Sequence, residues 1–399
     1  MNLDLNRQSW TPEELDLLTL IEPLACVQHA YRRLPETLLV NSACVFGGGP
    51  IGSLHLIELG RRFPKANLTI IDPSEARRTL AQSLFPTVRV LDSSNGKFDL
   101  TIVATSDPAA NISAIQITKP MGTVIHFSGL NHKTTNDLAE VEGINIEKIH
   151  RNEEVRVLST GVRLIGSSGY SRADILRSIQ SLQEFPETYG LVQTSIVEGI
   201  DSKTLVQKCG QVRQYHQPVV EVLLRSDNEY LEDLKVIFRV QEQDTLKQVS
   251  PKKESGRYSA VVIEQELKQD IPKGYVRLQV LRFSICNTDR RVLDGTKSAK
   301  LTDSFILGHE GIGVIVGVGD GVDEKSLGQG ISLILPHYYE ENDPLLKNGV
   351  PYLSLQLKHL GIHINGCFAS YVDVPEQCVF SVEPILNGQV DVLEAVQVA

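Results

Sequence analysis

The chain has 399 residues, 41% of them hydrophobic and 22% charged, so it is long enough for two or three domains and unlike disordered or collagen-like chains. Its formal net charge of -10 argues against nucleic acid as a partner, because phosphate binding requires a basic face. No apolar run reaches the roughly 20 residues that cross a bilayer, and Met1–Trp10 lacks the features of a secretion signal, which predicts a cytoplasmic protein without membrane contact.

The first predicted element is a buried helix over TLIEPLACVQHAYRR, from Thr19 to Arg33, in which Glu22 stands among apolar residues. A Glu before a Pro is often only a first-turn acid that the helix dipole favours. The local sequence leaves this capping role and a functional role equally open.

A strand, a glycine turn and a helix follow, in LLVNSACVF, GGGPIG and SLHLIELGRRF. Further strands are predicted at ANLTIID, FDLTIVAT and GTVIHFSG. Strands that alternate with helices at this spacing indicate an α/β, doubly wound parallel sheet of the Rossmann type. We assign it to residues 37–156, after a segment 1–36.

The glycine turn predicts a dinucleotide site. Gly47, Gly49 and Gly52 form GxGxxG, in which the first glycine allows a tight turn, the second lets the backbone approach a pyrophosphate, and the third lets the helix pack on the strand. The helix amino terminus, which contains Pro50 and Ile51, favours the anion. The alternative is a glycine-rich turn that binds nothing.

The ends of the next strands predict the rest of this site. Asp72 follows Gly52 by 20 residues and would bind ribose hydroxyls, which favours NAD over NADP. Arg77 and Arg78 leave NADP as an alternative cofactor, because a cation there could bind its 2'-phosphate. Thr105 ends the FDLTIVAT strand and is counted with Arg77 among the cofactor-binding residues.

The regular alternation of predicted strands and helices ends at about residue 150. Residues 157–228 contain a helical ADILRSIQSLQEF and a strand-like VVEVLLRS, and the acidic SDNEYLED predicts a joint. Residues 229–399 are mostly strand-like and punctuated by glycine, which predicts an antiparallel barrel or sandwich.

Two potential metal ligands lie in this last segment. Cys286, in RFSICNTDRR, and His309, in LGHEGIG, stand 23 residues apart. Thiolate and imidazole are ligands that zinc prefers, but this spacing does not fit a zinc finger, and on these residues alone structural roles are the more frequent outcome.

The motifs around them resemble the medium-chain zinc alcohol and polyol dehydrogenases. The segment from Gly308 to Val322 matches GHE-x2-G-x5-G-x2-V, and GCFASYVDVP resembles the family's GGFAEYVVVP. The resemblance implies a GroES-like catalytic barrel at 229–399, to whose domain residues 157–228 and part of 1–36 contribute. It also implies NAD(H), one catalytic Zn2+, a polyol, sugar or cyclitol alcohol or ketone as substrate, and a homodimer or homotetramer.

The order of the domains differs from that family, whose members begin with the GroES-like barrel. The final residues VDVLEAVQVA are similar to what precedes EPLA in such dehydrogenases, and TPEELDLLTLIEPLA repeats that register near the amino terminus. The chain is therefore predicted to be circularly permuted, which a fold tolerates when its old termini lie close together.

The resemblance also implies residue roles. Glu22, in an EPL motif, corresponds to the third zinc ligand of sorbitol-type members, and Glu310 to a ligand or a partner that exchanges with water. Thr288 corresponds to the hydroxyl that relays the substrate proton. Arg291 stands where relatives often have a proton-carrying histidine; as a permanent cation it would instead bind the cofactor ribose or an anionic group, or be a surface residue.

The segment Pro336–Gly366 contains no cysteine, although the family's structural zinc needs four there, which predicts one zinc per chain. His337, His359 and His363 lie in this segment, and the last two have H-x3-H spacing. With no acid or thiol at that spacing, they are predicted to be packed or exposed rather than metal-binding.

Two other functions remain open from sequence. One is a non-redox or self-restoring reaction with tightly bound NAD, such as elimination or epimerisation. The other is an NAD(H)-binding pseudoenzyme subunit, against which the intact set of Cys286, His309, Glu310 and Thr288 argues.

Overall fold

The structure is a computed structural model, and residue contacts divide the chain into two compact units. The first unit contains Met1–Glu22, Ile179–Glu184 and Gln193–Ala399, and the second contains Pro23–Ser178 and Phe185–Val192. The predicted joint at 226–233 and the C-terminal VDVLEAVQVA lie outside the described residues. The structure describes residues 10–129, 140–141, 144–145, 149, 154–157, 159–198, 235–240, 246–254, 257–265, 267–293, 305–328, 330–339, 343–347, 354 and 356–382.

A mostly parallel sheet forms the second unit. The strands of this unit are β1 (Ser42–Phe46), β2 (Asn67–Ile71), β3 (Arg89–Leu91), β4 (Phe98–Val103), β5 (Thr118–His126), β6 (Glu140–Val141), β7 (Ile144–Asn145), β8 (Glu154–Arg156) and β9 (Arg163–Gly166). Seven of them form one sheet in the order β3-β2-β1-β4-β5-β9-β8, in which only β8 is antiparallel to its neighbour, while β6 and β7 pair separately. Successive buried residues in β1 and β4 indicate that both faces are covered, as predicted.

Helix boundaries follow local sequence signals. The Ser74 side chain accepts a hydrogen bond from the Arg77 backbone N–H, and Pro50 occupies a first-turn position that needs no N–H. No helix in the described ranges is long and apolar enough to cross a membrane. The helices are α1 (Pro12–Leu18), α2 (Ile21–Arg32), α3 (Pro50–Arg62), α4 (Glu75–Leu84), α5 (Pro108–Ile117), α6 (Arg172–Glu184), α7 (Pro186–Gly190), α8 (Asn287–Leu293) and α9 (Pro344–Lys347), with 3-10 turns at Glu324–Ser326 and Glu376–Cys378.

The structure divides the chain at places that differ from the predicted boundaries. Residues 157–178, which the sequence analysis separated from the nucleotide-binding domain, lie in the second unit. There β9 pairs in parallel with β5 over four residues, so it completes the same sheet.

A buried carboxylate joins α2 to the start of α6 within the second unit. Asp174 is fully buried, lies 3.1 Å from Nδ1 of His29, and accepts hydrogen bonds from Arg32 at 2.9 Å and from the N–H and hydroxyl of Ser171. Burial alone would raise the pKa of Asp174, but these donors outweigh it and hold the pKa well below its usual range. The charge of Asp174 is therefore part of the folded state.

A mostly antiparallel sheet forms the first unit. Its strands run in the order β10-β11-β14-β15-β16-β20, and β19 also pairs with β14. Phe283 and Phe368 stack in its core with ring centroids 4.6 Å apart. Two further two-stranded antiparallel sheets are β12–β13 and β17–β18. The strands are β10 (Gln193–Glu198), β11 (Lys235–Arg239), β12 (Leu246–Glu254), β13 (Arg257–Gln265), β14 (Tyr275–Ser284), β15 (Glu310–Val318), β16 (Ile331–Ile334), β17 (His337–Tyr338), β18 (Lys358–His359), β19 (Tyr371–Pro375) and β20 (Val379–Ser381).

Glycines allow close packing just before β15. Gly308 has φ +90°, and a Cβ on Gly366 would lie 1.8 Å from the carbonyl oxygen of Gly308. A Cβ on Gly361 would also lie 2.5 Å from that oxygen. This approach of two backbones fixes the position of the next residue, His309.

Helix α1 belongs to the same unit as these strands. Its first turn carries a capping box between Thr11 and Glu14. Asp16, buried, accepts a hydrogen bond from Nε of Arg282 in β14 at 2.8 Å. The two charges neutralise each other, which attaches the amino-terminal helix to the centre of the sheet.

We expect Asp174→Asn to destabilise the second unit. Removing one partner of a buried ion pair costs about 3–5 kcal/mol, and the lower end applies because Arg32 is 42% exposed and can reach water. The stabilisation is present above the unfolded pKa of about 3.9 and is lost as pH falls through the lower folded pKa. Denaturant unfolding at pH 7 and at a series of pH values below about 3.9 measures both effects.

The exposed Asp92→Asn provides the control, since it removes the same charge without a buried partner. Equal unfolding free energies for the two variants at pH 7 would contradict a stabilising role for Asp174.

Candidate functional site

The predicted glycine turn links β1 to α3. Gly47 has φ +104°, and a Cβ on Gly52 would lie 1.8 Å from the carbonyl oxygen of Gly47, so neither position accommodates a side chain. At Gly49, by contrast, a Cβ would meet nothing within 4 Å. Pro50 and Ile51 form the first turn of α3. The turn thus leaves open space at a helix amino terminus, where an anion is favoured.

Asp72 lies beside this turn, directly after β2. One carboxylate oxygen accepts a hydrogen bond from the Gly48 N–H at 2.7 Å and the other from the Ser74 N–H at 2.8 Å. The Arg77 guanidinium lies 3.6 Å from the first of these oxygens and is 41% exposed. Asp72 is therefore built into the turn, with an arginine at its edge.

Thr105 lies on the other side of the turn, after β4. Its Cβ would be 3.5 Å from a Cβ on Gly47, and its hydroxyl oxygen accepts a hydrogen bond from the Asp107 N–H at 3.4 Å. The structure therefore brings the predicted residues of the three strand ends together within the second unit.

A separate polar group lies in the first unit, where β14 passes into α8. The Sγ of Cys286 lies 3.1 Å from Nε2 of His309, and Nδ1 of the same imidazole lies 3.3 Å from Oδ1 of Asp289. The Asp289 carboxylate also accepts a hydrogen bond from the Cys286 N–H at 2.9 Å. The ligand atoms of these three residues lie within 4.8 Å of one another.

Protonation of this group is coupled to metal binding. Burial, followed by the charge of Asp289, raises the pKa of the Cys286 thiol. Burial would lower the pKa of His309, but Cys286 and Asp289 outweigh it and raise that pKa well above its ordinary value. Zinc binds a thiolate and a neutral imidazole, so both shifts make metal binding release protons, and metal affinity is expected to rise with pH.

The donor set fits zinc. A thiolate and an imidazole are preferred zinc ligands, and a metal-ligating histidine usually donates its other ring N–H to a carboxylate or carbonyl. Asp289 stands in that supporting position. Sequence reasoning missed it, although its place three residues after Cys286, in the first turn of a helix, offered a signal.

Two other predicted ligands are not part of this three-residue group. Glu310, the first residue of β15, is buried and accepts a hydrogen bond from the Ser284 hydroxyl at 2.6 Å. Glu22 is buried in the first turn of α2. The group within 4.8 Å includes neither carboxylate.

The two remaining predicted residues lie in α8. The Thr288 N–H donates a hydrogen bond to Sγ of Cys286 at 3.2 Å, so the start of the helix supports the thiol. Arg291 is half-buried one turn later.

Residues 272–384 match the family described as the alcohol dehydrogenase GroES-like domain, which agrees with the predicted barrel and contains Cys286, Asp289 and His309. The chain is 30% identical to L-threonine 3-dehydrogenase of Bacillus subtilis over 125 residues, covering 31% of this chain and 35% of the relative. It is 30% identical to L-threonine 3-dehydrogenase of Pyrococcus furiosus over 136 residues, covering 34% and 38%. It therefore spans about a third of the length of these curated relatives.

Among solved structures, a zinc-binding dehydrogenase of Sinorhizobium meliloti bound to NADP is 30% identical, with a TM-score of 0.30. The match covers 35% of this chain and 38% of that chain.

We expect about one tightly held zinc ion per chain and a lower zinc affinity in Asp289→Asn. Loss of a partner that orients a ligand typically weakens metal affinity about 10–100-fold. Competition with a chromogenic chelator measures this affinity. Asp320→Asn, which changes an exposed acid in the same unit, is the control. If Asp289→Asn bound zinc as tightly as this control, Asp289 would not support His309 as a zinc ligand.

Proposed function

We propose that the chain is a medium-chain zinc alcohol dehydrogenase, as its match to the GroES-like domain over residues 272–384 supports, and that it transfers hydride between NAD(H) and a secondary alcohol or ketone. The proposed substrate class is a polyol, a sugar or a cyclitol. The observation that carries the proposal is the group of Cys286, Asp289 and His309, because it lies within the matched residues and has the donor chemistry of zinc.

The residues of this group would act on a bound metal in distinct ways. Zinc supplies Lewis-acid polarisation of the alcohol or carbonyl oxygen, and the nicotinamide supplies the hydride acceptor. Cys286 and His309 would hold the ion, while Asp289 fixes the tautomer and orientation of His309. We propose Glu22 as the third ligand, and Glu310 as a partner that exchanges with water.

Proton transfer is assigned to Thr288. Thr288 stands two residues after Cys286, and its backbone N–H donates a hydrogen bond to Sγ of that residue. This proximity supports a place for its hydroxyl near the reacting alcohol. Arg291 cannot serve as an ordinary proton carrier because its guanidinium stays charged. We propose that it binds the cofactor ribose or an anionic group of the substrate.

The glycine turn is the proposed NAD site. Gly47, Gly49 and Gly52 would admit the pyrophosphate to the amino terminus of α3. Asp72 would accept hydrogen bonds from the ribose hydroxyls in addition to those from Gly48 and Ser74, and its charge opposes a 2'-phosphate. Arg77 lies beside Asp72, and its guanidinium is the group that would bind the 2'-phosphate if NADP were used.

Circular permutation is the proposed origin of the domain order. The GroES-like match at 272–384 follows the parallel sheet of β1 to β9 in the chain. The amino-terminal Asp16 nevertheless pairs with Arg282 inside the first unit, as expected if both segments once lay closer in sequence.

The central test is a substrate screen with the zinc-loaded protein. We expect reduction of NAD, read at the nicotinamide absorbance, with at least one secondary alcohol among polyols, cyclitols, sugar phosphates and L-threonine, the compound named in the matched relatives. NAD should be preferred over NADP, and Asp72→Ala should narrow this preference while Arg77→Ala widens it. Tight NAD binding without turnover of any alcohol would instead favour a self-restoring reaction or a non-catalytic subunit.

Glu22→Gln tests the third-ligand proposal. A ligand role predicts at least a tenfold loss of zinc affinity or turnover with nearly unchanged NAD affinity. A helix-dipole role predicts only a loss of about 0.3–1 kcal/mol in the free energy of unfolding. Metal analysis, NAD titration and thermal unfolding of the variant separate the two.

The exposed Glu13→Gln, in the first turn of α1, is the matched control. Full zinc content and normal turnover in the Glu22 variant, together with losses in Cys286→Ser and His309→Ala, would assign Glu22 to capping.

A further inference from the structure

The parallel sheet of the second unit contains an irregular turn at the start of β5. Residues 98 and 100 of β4 pair with residues 118 and 123 of β5, so β5 advances 5 residues (118 to 123) while β4 advances 2 (98 to 100). Extra residues of this kind interrupt the ladder and point their side chains in a new direction. Pro120 and Met121 lie among these extra residues.

Met121 has a backbone conformation that is unusual for its side chain. Its φ is 64°, and among the described residues it is the one residue other than glycine with a positive φ. A proline followed by a residue with positive φ is the pattern of a type II turn, whose third position normally needs glycine or asparagine. A side chain with a Cβ is strained there, and such strain persists only where the surrounding structure compensates for it.

The thioether of Met121 makes a compensating contact with the connection between β8 and β9. A Cβ on Gly161 would lie 2.4 Å from Sδ of Met121, so the sulfur covers the bare Cα of that glycine. The Met121 N–H also donates a hydrogen bond to the carbonyl oxygen of Thr160 at 3.1 Å. Because β8 is the last strand of the sheet, this contact ties the turn in β5 to the edge of the sheet.

Each side of the contact is also held by its own neighbours. Before Met121, the Lys119 Nζ lies 2.7 Å from Oδ1 of Asp99 in β4. On the other side, the Gly161 carbonyl accepts a hydrogen bond from the Arg156 guanidinium at 3.2 Å. The Met121 side chain therefore links two turns that are fixed separately, and a change at its sulfur acts on that link.

Met121 is also accessible to oxidants. It is 69% exposed, and it is the only methionine of the chain after Met1. A thioether has no proton to lose, so its oxidation depends on access, whereas a thiol reacts as the thiolate. Burial raises the pKa of Cys44 well above its usual range and that of Cys378 to about 12, so both stay protonated. A peroxide is therefore directed to the thioether rather than to these two thiols.

We propose that Met121 is an oxidation site, and that its conversion to methionine sulfoxide releases the connection between β8 and β9 from the turn in β5. One oxygen of hydrogen peroxide is transferred to Sδ. The O–O bond breaks, an S–O bond forms, the sulfur is oxidised and the peroxide is reduced to water. The new polar oxygen is carried by the atom that covers Gly161, so the apolar contact is lost. The proposal does not depend on the dehydrogenase activity.

Peroxide treatment of the full chain tests the proposal with two measurements. Peptide mapping by mass spectrometry should find one added oxygen on Met121, at a rate within about fivefold of that of free methionine, because access controls the reaction. Hydrogen exchange of the oxidised protein should then be several-fold faster in β8 and β9 than in the untreated protein, and unchanged in β1.

Met121→Leu is the matched control, because leucine is apolar and similar in volume but has no sulfur. Exchange in β8 and β9 of this variant should not change with peroxide. Reduction of the oxidised, unmodified protein by a methionine sulfoxide reductase gives an answer without substitution, since removal of the oxygen should restore slow exchange.

Four results would overturn the proposal. They are no added oxygen on Met121, unchanged exchange in β8 and β9 after Met121 is oxidised, an equal response to peroxide in Met121→Leu, and fast exchange that persists after the sulfoxide is reduced.

Discussion

The contact between Asp289 and Nδ1 of His309 determines the chemistry available in the first unit. An imidazole has two nitrogens. In His309, Nδ1 contacts the buried Asp289 carboxylate, and Nε2 faces the Cys286 thiol. Asp289 is itself held by the Cys286 N–H, so thiol, carboxylate and imidazole position one another. The group is thus arranged before any ion arrives, and this lowers the cost of assembling a metal site.

This arrangement depends on backbone packing that only glycine allows. His309 follows Gly308, whose carbonyl oxygen lies where side chains at Gly361 or Gly366 would stand. The same packing brings the segment after His359 against the start of β15. The ring contact between His359 and His309 is therefore a product of the glycines, since larger residues would hold the two segments apart.

The sequence was informative where the chemistry is local and uninformative where folding joins distant residues. The turn from Gly47 to Gly52 is six residues long, and the structure gives steric reasons for glycine at positions 47 and 52, the first and third glycines of the motif. The sequence did not single out Asp289, because an acid in the first turn of a helix is ordinarily explained by its favourable interaction with the helix dipole. Its role emerges only once β14 pairs with β15, with Ser284 opposite Glu310. The third-ligand role of Glu22 stays a prediction for the same reason.

The ion pair of Asp16 and Arg282 has a consequence for biosynthesis. The two residues are 266 positions apart, so at about 5–20 residues per second the helix containing Asp16 leaves the ribosome roughly 10–50 s before its partner strand exists. The whole second unit has been synthesised by Val192, so it has this interval in which to fold. During translation the amino-terminal helix therefore waits as an unpartnered segment, exposed to chaperones and proteases until the strand of Arg282 emerges.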